Sequence, residues 1–198
     1  KKVQTKYFLC TQPDTIISKK SILILKKTFK GKTDAIITVP KVKQFKNYTI
    51  KEKNKKIFSV KKILGAIFLA NTKKFKKIGM FDERFFFYWE DVDLCKKIEN
   101  DNLKIYLNIR AEADHAGEKS VKKNLRSFMV RKIYFKYGEH IFQSKYRKLR
   151  LIKIIREPIK FFLLMVFFSI TFQFKKSLEN FCFIYASMKF LFFFKKKQ

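Results

Sequence analysis

Short apolar runs and one amphipathic stretch alternate along the start of the chain. Residues 7–10 form an apolar run that ends in a Gln-Pro-Asp-Thr turn, which predicts a short buried strand. Ser18 precedes a stretch with apolar residues at helical spacing, which predicts a helix with a serine N-cap. The inward positions of this helix are Ile22, Leu25 and Phe29. Residues 35–39 predict a second strand, closed by Pro40, so strand, helix and strand form a crossover unit of an α/β sheet.

The alternation continues through the middle of the chain. Residues 41–61 are Lys-rich and weakly periodic, which is typical of a loop or a ragged hairpin. Residues 62–70 predict a strand that Gly65 interrupts, and a backbone or a ligand can approach closely at such a glycine. Thr72 is expected to cap a helix of one or two turns, and Gly79 is expected to end it.

Carboxylates accumulate in one stretch of a strongly basic chain. The chain has 47 Lys+Arg against 16 Asp+Glu, yet ten of those acids lie between Asp82 and Glu118. Neighbouring carboxylates repel one another unless a cation, a metal ion or a proton-transfer task holds them together. The alternative is that they complement the N-terminus of a helix. The acids concerned are Glu90, Asp91 and Asp93, and the inward positions expected for that helix are Val92, Cys95 and Ile98. A strand over residues 103–107 is expected to follow.

The net charge of +31 predicts an anionic partner. A nucleic acid, an anionic membrane surface and a nucleotide or diphosphate substrate all meet this condition. The excess of Lys over Arg beside many Phe and Ile also fits an AT-rich genome, so the charge alone selects none of them. The three cysteines, Cys10, Cys95 and Cys182, are odd in number and far apart, which indicates a reducing compartment without a disulfide framework.

The composition changes after Gly117. From residue 119 to the end there are 20 Lys+Arg against three acids, and two apolar runs of 14 residues cover 161–174 and 181–194. Each run is shorter than the roughly 20 residues of a spanning helix. We therefore expect a domain over 1–118 and a basic helical extension over 119–198 that lies on the cytoplasmic face of a membrane, as a peripheral or monotopic attachment. A helical hairpin that dips into the bilayer is the alternative.

The acidic stretch also carries a family resemblance. Residues 79–95 read G-M-F-D-E-R-F-F-F-Y-W-E-D-V-D-L-C. This resembles the acceptor-side motif of family 2 glycosyltransferases, roughly G-G-F-D-E-x-F-F-x-Y-x-E-D-x-D-L. It is most similar to the rhamnosyltransferase-like and galactofuranosyltransferase-like branch, and Met80 replaces the second glycine. The resemblance implies an α/β fold: part of a GT-A (Rossmann-like) mixed sheet with flanking helices, followed by the basic, hydrophobic helical tail.

The resemblance assigns catalytic roles within the acidic stretch. Asp91 matches the family's general base, which removes a proton from the acceptor hydroxyl during inverting transfer. Glu90 is expected to orient that base or to bind acceptor hydroxyls. Asp93 is expected to point elsewhere and to cap the helix.

Substrate-binding roles follow from the same resemblance. Gly65 and Ala66 resemble the family's small-residue strand, where the backbone passes close to the donor sugar and the acceptor; a simple bulge is the alternative. Asp82 belongs to the acceptor-side motif and is assigned to substrate binding with it. Trp89 is expected to stack on an acceptor sugar, or else to pack in the core.

The resemblance also implies a metal site. The segment Q-P-D-T resembles the family's D-x-D region, whose last acid, here Asp14, coordinates the divalent ion of the donor diphosphate. Residues 111–117 resemble V-x-H-x-G-G, in which the histidine, here His115, supplies an imidazole nitrogen. A carboxylate, an imidazole and diphosphate oxygens suit Mn²⁺ or Mg²⁺. Gln12 stands where the family has an acid or Asn. An ordinary turn and an ordinary hydrogen-bonded histidine are the alternatives, and His140 is interpreted in that ordinary way.

These expectations predict an inverting glycosyltransferase that acts in cell-surface polysaccharide synthesis. It would move a sugar from a nucleotide-diphosphate-sugar donor to a saccharide or polyprenyl-linked acceptor. The resemblance covers about residues 6–117, without the family's nucleotide-binding half, so an N-terminally truncated enzyme is expected. One alternative is a catalytically inactive fragment or subunit that binds the acceptor. Another is a basic nucleic-acid-binding protein. Nucleic acid is not the expected partner, because nucleic-acid binding does not explain the clustered carboxylates and no recognition motif is visible.

Overall fold

A computed structural model describes residues 3–43, 56–116, 124–146 and 151–194. The chain divides into two compact units. The first comprises Lys1–Asp82 and Asp91–Val121, and the second comprises Glu83–Glu90 and Lys122–Gln198. The aromatic segment before the acidic pair is therefore grouped with the C-terminal helices, whereas the sequence pattern predicted it in the first domain.

The described part of the first unit is built on a mixed sheet of six strands. The strands are β1 (Tyr7–Thr11), β2 (Thr15–Ile17), β3 (Ala35–Val42), β4 (Ile57–Val60), β5 (Ile67–Asn71) and β6 (Lys104–His115). The helices of this part of the chain are α1 (Lys19–Thr28), α2 (Thr72–Lys77) and α3 (Glu90–Asn100). The strand order is β1-β5-β3-β6-β2, and β4 also pairs with β6. Only the β3–β6 pair among these is parallel. The predicted α/β class with a mixed sheet and flanking helices is confirmed.

The first strand and helix form as predicted from the local pattern. Ser18 caps α1, since its hydroxyl oxygen accepts a hydrogen bond from the Ser21 N–H at 3.1 Å. Leu25 and Phe29 are buried on the inner face of α1. The predicted strand–helix–strand unit contains an additional strand, since β2 directly precedes α1; β1 and β3 run in the same direction, and β5 lies between them.

Three predicted strand boundaries are wrong. Pro40 does not close β3, which continues to Val42; instead the β3–β6 register shifts just after the proline, which lacks the N–H that a regular ladder needs. The predicted strand over 62–70 begins only at Ile67. β6 extends to His115, well past the predicted end at residue 107. The predicted loop over 41–61 contains β4, and its residues 44–55 lie outside the described part.

Two helix predictions also need correction. Asn71, not Thr72, is the N-cap of α2, because its side-chain oxygen accepts the Lys74 N–H at 3.1 Å. In α3, Asp93 faces inward and is 1% exposed, whereas Val92 is 42% exposed. The buried Asp93 carboxylate lies 3.5 Å from the Lys97 ammonium one turn later, and this charge pairing makes its burial tolerable. Asp93 is therefore a buried residue of α3 rather than an exposed cap.

The sheet separates two apolar layers. Phe68 and Leu107 pack in one layer with Leu94 of α3, while the adjacent residues Leu69 and Tyr106 pack in the other with α1. Neighbouring residues of a strand point to opposite faces, so each strand contributes to both layers. This double burial holds the ends of β1, β3 and β6 in fixed positions at one edge of the sheet.

The second unit is a bundle of three helices: α4 (Leu125–Tyr146), α5 (Leu151–Ile170) and α6 (Phe174–Phe194). α5 and α6 form an antiparallel hairpin in which the Phe161 and Phe183 rings lie 5.2 Å apart. α4 packs along α6, where His140 Nε2 is 2.9 Å from Ser187 Oγ. None of the described helices combines the length and the apolar character needed to cross a membrane.

Candidate functional site

The pairing of β2 with β6 brings the two predicted metal ligands together. Thr15 stands opposite His115 in the antiparallel register, and Asp14 immediately precedes β2. Asp14 Oδ1 lies 3.3 Å from His115 Nδ1, although 100 residues separate β2 from His115 along the chain. Both side chains are largely buried. The predicted approach of Asp14 to His115 is confirmed, and the ion that they would share stays a prediction.

Thr15 belongs to this site, although no role was predicted for it from the sequence. Its hydroxyl lies 3.2 Å from His115 Nδ1 and 3.5 Å from the Ala66 carbonyl oxygen. The same carbonyl accepts the Gln12 N–H at 2.9 Å. Thr15 directly follows Asp14 in the Q-P-D-T turn, and this position was the available signal. The turn, the end of β6 and the start of β5 are thus tied together by hydrogen bonds.

The predicted base and the predicted small-residue segment also meet. A Cβ atom added to Gly65 would lie 3.3 Å from Asp91 Cβ and 3.5 Å from its Oδ2. The backbone N–H of Gly65 donates a hydrogen bond to the Asp91 carboxylate. The Val92 N–H donates a second one, with 2.8 Å between nitrogen and Oδ1. The missing side chain of Gly65 therefore allows the close approach of the Asp91 side chain, whereas the predicted contact of Gly65 with the donor sugar and the acceptor stays a prediction.

Burial raises the pKa of the Asp91 carboxyl, and the hydrogen bonds from Val92 and Gly65 only partly oppose that rise. The nearby Cys95 thiol responds to the same surroundings: burial, reinforced by the charge of Asp91, raises its pKa to about 11. A thiol with so high a pKa stays protonated at neutral pH and is a poor nucleophile. Of these two side chains, Asp91 is therefore the one that can accept a proton.

Both pairs lie at the edge of the sheet that is formed by the carboxyl ends of the parallel strands β3 and β6. Gln12, Ala66 and His115 stand at the end of β1, the start of β5 and the end of β6 respectively. Ligands of open α/β sheets bind at the carboxyl ends of parallel strands, and β3 and β6 end at this edge. Close contacts connect these residues in sequence: His115 lies beside Asp14 and Thr15, Thr15 lies beside Ala66, and the adjacent Gly65 lies against Asp91.

The number and the separation of the possible ligand atoms decide whether a divalent ion can bind at Asp14 and His115. Within the described ranges, no group of three or more His, Cys, Asp and Glu side chains is placed to hold a metal. Asp14 and His115 are a pair, and their donor atoms are 3.3 Å apart. Two adjacent ligands of an octahedral Mg²⁺ at 2.0–2.1 Å would lie about 2.9 Å apart, so the pair fits two neighbouring positions of one ion. The Gln12 residue is exposed.

The other predicted site residues are Asp82, Glu90 and Trp89, and their contact with substrate stays a prediction. Asp82 is half-buried in the connection between α2 and α3. Glu90 and Trp89 belong to the second unit, where the Trp89 ring lies 5.3 Å from Phe142 and a Cβ on Gly138 would approach it to 2.9 Å. These contacts favour packing for Trp89, which was the alternative to acceptor stacking; the stacking itself stays a prediction.

Two consecutive residues before α3 have a left-handed backbone. Tyr88 has φ of 65° and Trp89 has φ of 71°, values that side-chain-bearing residues rarely adopt. The Tyr88 hydroxyl accepts a hydrogen bond from Arg131 Nε at 2.8 Å, which secures this turn against α4. Such strain persists only where the surroundings over-determine it. His140 of α4 is hydrogen-bonded to Ser187, in line with its ordinary interpretation.

Comparison of the chain with protein-family models finds no match, and comparison with curated proteins finds none either. The glycosyltransferase resemblance therefore depends on the motif residues themselves.

Gly65→Ala is expected to disturb Asp91 specifically. The new methyl group would press on the Asp91 side chain at 3.3 Å, which displaces the carboxylate from the Gly65 N–H and raises its pKa further. We expect a loss of about 1–3 kcal/mol in stability, as for other overpacked sites. NMR titration of the aspartate carboxyls measures the pKa. Gly31→Ala is the control, because it strains a backbone with φ of 71° but touches nothing within 4 Å. An unchanged Asp91 pKa in Gly65→Ala would contradict the assigned contact.

Proposed function

We propose that the first unit carries the metal-binding and acceptor-side part of a GT-A-type inverting glycosyltransferase. Its donor is a nucleotide-diphosphate sugar, and its acceptor is a saccharide or a polyprenyl-linked saccharide. One observation carries this proposal: the Asp14–His115 pair and the Gly65–Asp91 pair are linked through Thr15 and Ala66 at one edge of the sheet. The acidic motif and the Q-P-D-T turn each match the family in sequence, and the fold joins them.

Asp91 takes the role of general base in this proposal. The acceptor oxygen attacks the anomeric carbon, its proton passes to the Asp91 carboxylate, and the bond from that carbon to the diphosphate oxygen breaks. The nucleoside diphosphate leaves with the electron pair. A carboxylate with a raised pKa holds a proton better than an exposed one, which favours this transfer. The N–H groups of Gly65 and Val92 fix the orientation of the carboxylate. Glu90, its neighbour in sequence, binds or orients the acceptor.

Asp14 and His115 would hold the divalent ion, Mn²⁺ or Mg²⁺. When bound, such an ion stabilises the negative charge of the departing diphosphate. Two protein ligands leave the other coordination positions to phosphate oxygens and water. Thr15 lies beside the pair: its hydroxyl contacts His115 Nδ1 at 3.2 Å, the same ring nitrogen that faces Asp14 Oδ1, so an ion bound through Nδ1 would displace this hydroxyl. With Gln12 in place of an acid or Asn, the affinity for the free ion is expected to be lower than in relatives that have such a ligand.

The metal site is tested by Mn²⁺ binding to the full chain, measured by calorimetry or by the electron paramagnetic resonance signal of free Mn²⁺. Asp14→Asn and His115→Asn are each expected to weaken binding by at least about 10–100-fold. Asp114→Asn is the matched control. It removes a carboxylate next to His115, but that carboxylate pairs with Lys43 at 3.2 Å and is exposed. Equal binding by all variants, or an equal loss in the control, would refute the shared site.

Transfer is tested separately with a panel of nucleotide-diphosphate sugars and saccharide or lipid-linked acceptors. Release of nucleoside diphosphate that requires both Mn²⁺ and acceptor supports the enzyme. The assay uses the chain extended by a nucleotide-binding half. If this extended form binds Mn²⁺ and acceptor but shows no turnover with any donor, the proposed activity is wrong and an inactive acceptor-binding protein is the better description.

A further inference from the structure

The outer face of α5 is apolar along its length. Large side chains recur there at helical spacing, among them Ile155, Ile159, Leu163, Phe167 and Ile170. Leu163 is 64% exposed and Ile170 is 71% exposed. A helix of 20 residues is about 30 Å long, and this apolar stripe runs along most of that length.

The apolar surface continues around the turn and along α6. Phe172 in the turn is 80% exposed, and Phe174 at the start of α6 is 66% exposed. Further along α6, Phe181, Tyr185 and Phe192 are exposed at the same helical face spacing. Both helices of the hairpin thus turn aromatic and aliphatic side chains away from the interior of the bundle.

The interior of the bundle combines an apolar cluster with bonded polar groups. Phe190 of α6 and Ile141 of α4 are buried together. Lys136 of α4 lies 2.9 Å from the Glu157 carboxylate of α5, and His140 Nε2 is 2.9 Å from Ser187 Oγ of α6. Several polar side chains of the bundle therefore find their partners inside it, while many of its large apolar side chains lie outside.

Polar groups that bond inside a bundle while apolar groups cover its outside are what a lipid environment favours. In hydrocarbon, polar side chains must find their partners within the protein, and apolar side chains face the solvent without cost. In water the same exposed surface is unfavourable at about 25 cal/mol per Å². This distribution of side chains therefore indicates that the outer face of the hairpin contacts a bilayer rather than bulk water or a nucleic acid.

The charges indicate which lipids are involved. Arg156 and Lys160 are exposed in the N-terminal half of α5, and Lys175 and Lys176 are exposed just after the turn, so cations stand toward both ends of the stripe. From residue 119 onward the sequence has 20 Lys+Arg and three acids. We infer that the α5–α6 hairpin inserts its outer apolar face into the boundary between headgroups and acyl chains of an anionic bilayer, with these cations among the phosphates. This inference is independent of the proposed transferase activity.

Vesicle co-sedimentation of the full chain tests the inference. Phosphatidylcholine vesicles with and without phosphatidylglycerol are the probes. Leu163→Ser/Phe167→Ser is expected to lower partitioning by about 10–100-fold, because two large apolar groups no longer enter the bilayer. The matched control is Ile16→Ser/Leu23→Ser. It removes two large apolar side chains that are 75% and 50% exposed in the first unit, and it should leave partitioning unchanged.

The cations are tested in the same assay. Lys175→Gln/Lys176→Gln is expected to weaken binding to the phosphatidylglycerol vesicles by about 10-fold or more, with little change on phosphatidylcholine alone. Wild-type protein inserted through the apolar face should stay bound after a carbonate wash.

Three outcomes would overturn the inference. The full chain could fail to bind either kind of vesicle. The control Ile16→Ser/Leu23→Ser could also lose as much vesicle binding as Leu163→Ser/Phe167→Ser. Sedimentation without lipid could also show a defined dimer that Leu163→Ser/Phe167→Ser dissociates while vesicle binding persists; a second copy of the chain would then occupy the face. Mn²⁺ binding and sugar transfer by these variants report on the proposed function separately.

Discussion

In an extended, active form of the enzyme, Asp91→Asn is expected to lower glycosyl transfer by about 10²–10⁴-fold, the usual contribution of a general base. The amide keeps the shape and the hydrogen-bond acceptor of the carboxylate but cannot take the acceptor's proton. Donor binding and Mn²⁺ affinity should stay near those of the wild type, because Asp14 and His115 are unchanged. Asp101→Asn, which removes an exposed carboxylate just after the end of α3, is the control and should transfer normally.

The same substitution should raise the stability of the first unit at neutral pH. Burial raises the folded-state pKa of Asp91 above its unfolded value, so the folded protein binds this proton more tightly. The contribution of Asp91 to stability is fully present below the unfolded pKa of about 3.9 and is lost as pH rises through the folded pKa. Asparagine does not ionise and has no such loss. The Tm of Asp91→Asn minus that of the wild type should therefore be smallest in acid and increase through this window.

Calorimetry across pH measures this difference, and transfer assays measure the loss of turnover. A rise in stability together with lost activity is the combination expected of a strained catalytic group, and a structural carboxylate would not produce it. Glu90→Gln should mainly raise the KM for the acceptor. If Glu90→Gln abolished turnover while Asp91→Asn kept it, the two roles would be reversed. If neither substitution affected turnover, the acidic pair would serve only the N-terminus of α3.

The sequence allowed the site to be predicted where a backbone rule or a motif determined the geometry. The Q-P-D-T turn places Asp14 at a strand end, and a glycine inside an apolar run indicates a close approach, which Asp91 makes at Gly65. The 3.3 Å approach of Asp14 to His115 followed from the resemblance, which assigns both residues to one divalent ion. Thr15 was missed although it directly follows Asp14, because a threonine at that position of a turn is usual and its contact with His115 depends on the pairing of β2 with β6.

Other features depended on tertiary contacts that no local pattern encodes. The burial of Asp93 in place of Val92 depends on the Lys97 ammonium one turn away, and hydrophobic periodicity does not register such a pair. The length of β6 depends on its partners, because β3 pairs with it from Lys104 to Ala113, β4 pairs with its first half and β2 pairs with its end. The position of Trp89 against α4 requires a small residue, Gly138, far along the chain.

Lys136→Met is expected to destabilise the second unit by about 3–5 kcal/mol, the usual effect of breaking a buried ion pair from one side. The Lys136 side chain is only 8% exposed, and its ammonium lies 3.0 Å from Glu139 and 2.9 Å from Glu157. Removing the cation would leave two carboxylates of neighbouring helices facing each other, with little water to screen them. Glu157 would keep its contact with His140, but that contact is weaker because Nε2 of the imidazole is 3.6 Å away.

Lys132→Met is the matched control. It lies one turn earlier on α4, and its ammonium contacts Glu179 at 2.7 Å, but both side chains are about a third exposed. Exposed pairs contribute about 0–1 kcal/mol, so this variant should be nearly as stable as the wild type. A second comparison is Lys136→Met/Glu157→Leu, which removes the unpaired carboxylate of α5 as well. Replacing both partners with apolar groups is often neutral, so this double variant should recover much of the loss.

Trp89 provides the measurement, because it is the only tryptophan of the chain and its ring packs within the second unit, against Phe135 and Phe142. Urea unfolding followed by Trp89 fluorescence therefore measures the unfolding of the helical bundle rather than that of the first unit. A midpoint for Lys136→Met equal to that of Lys132→Met would show that the Lys136 ammonium is solvated, and the polar interior would then be an ordinary hydrated groove. A large loss in Lys136→Met that the double variant reverses would show that the buried charges, rather than the shape of the lysine, determine the packing of α4 on α5.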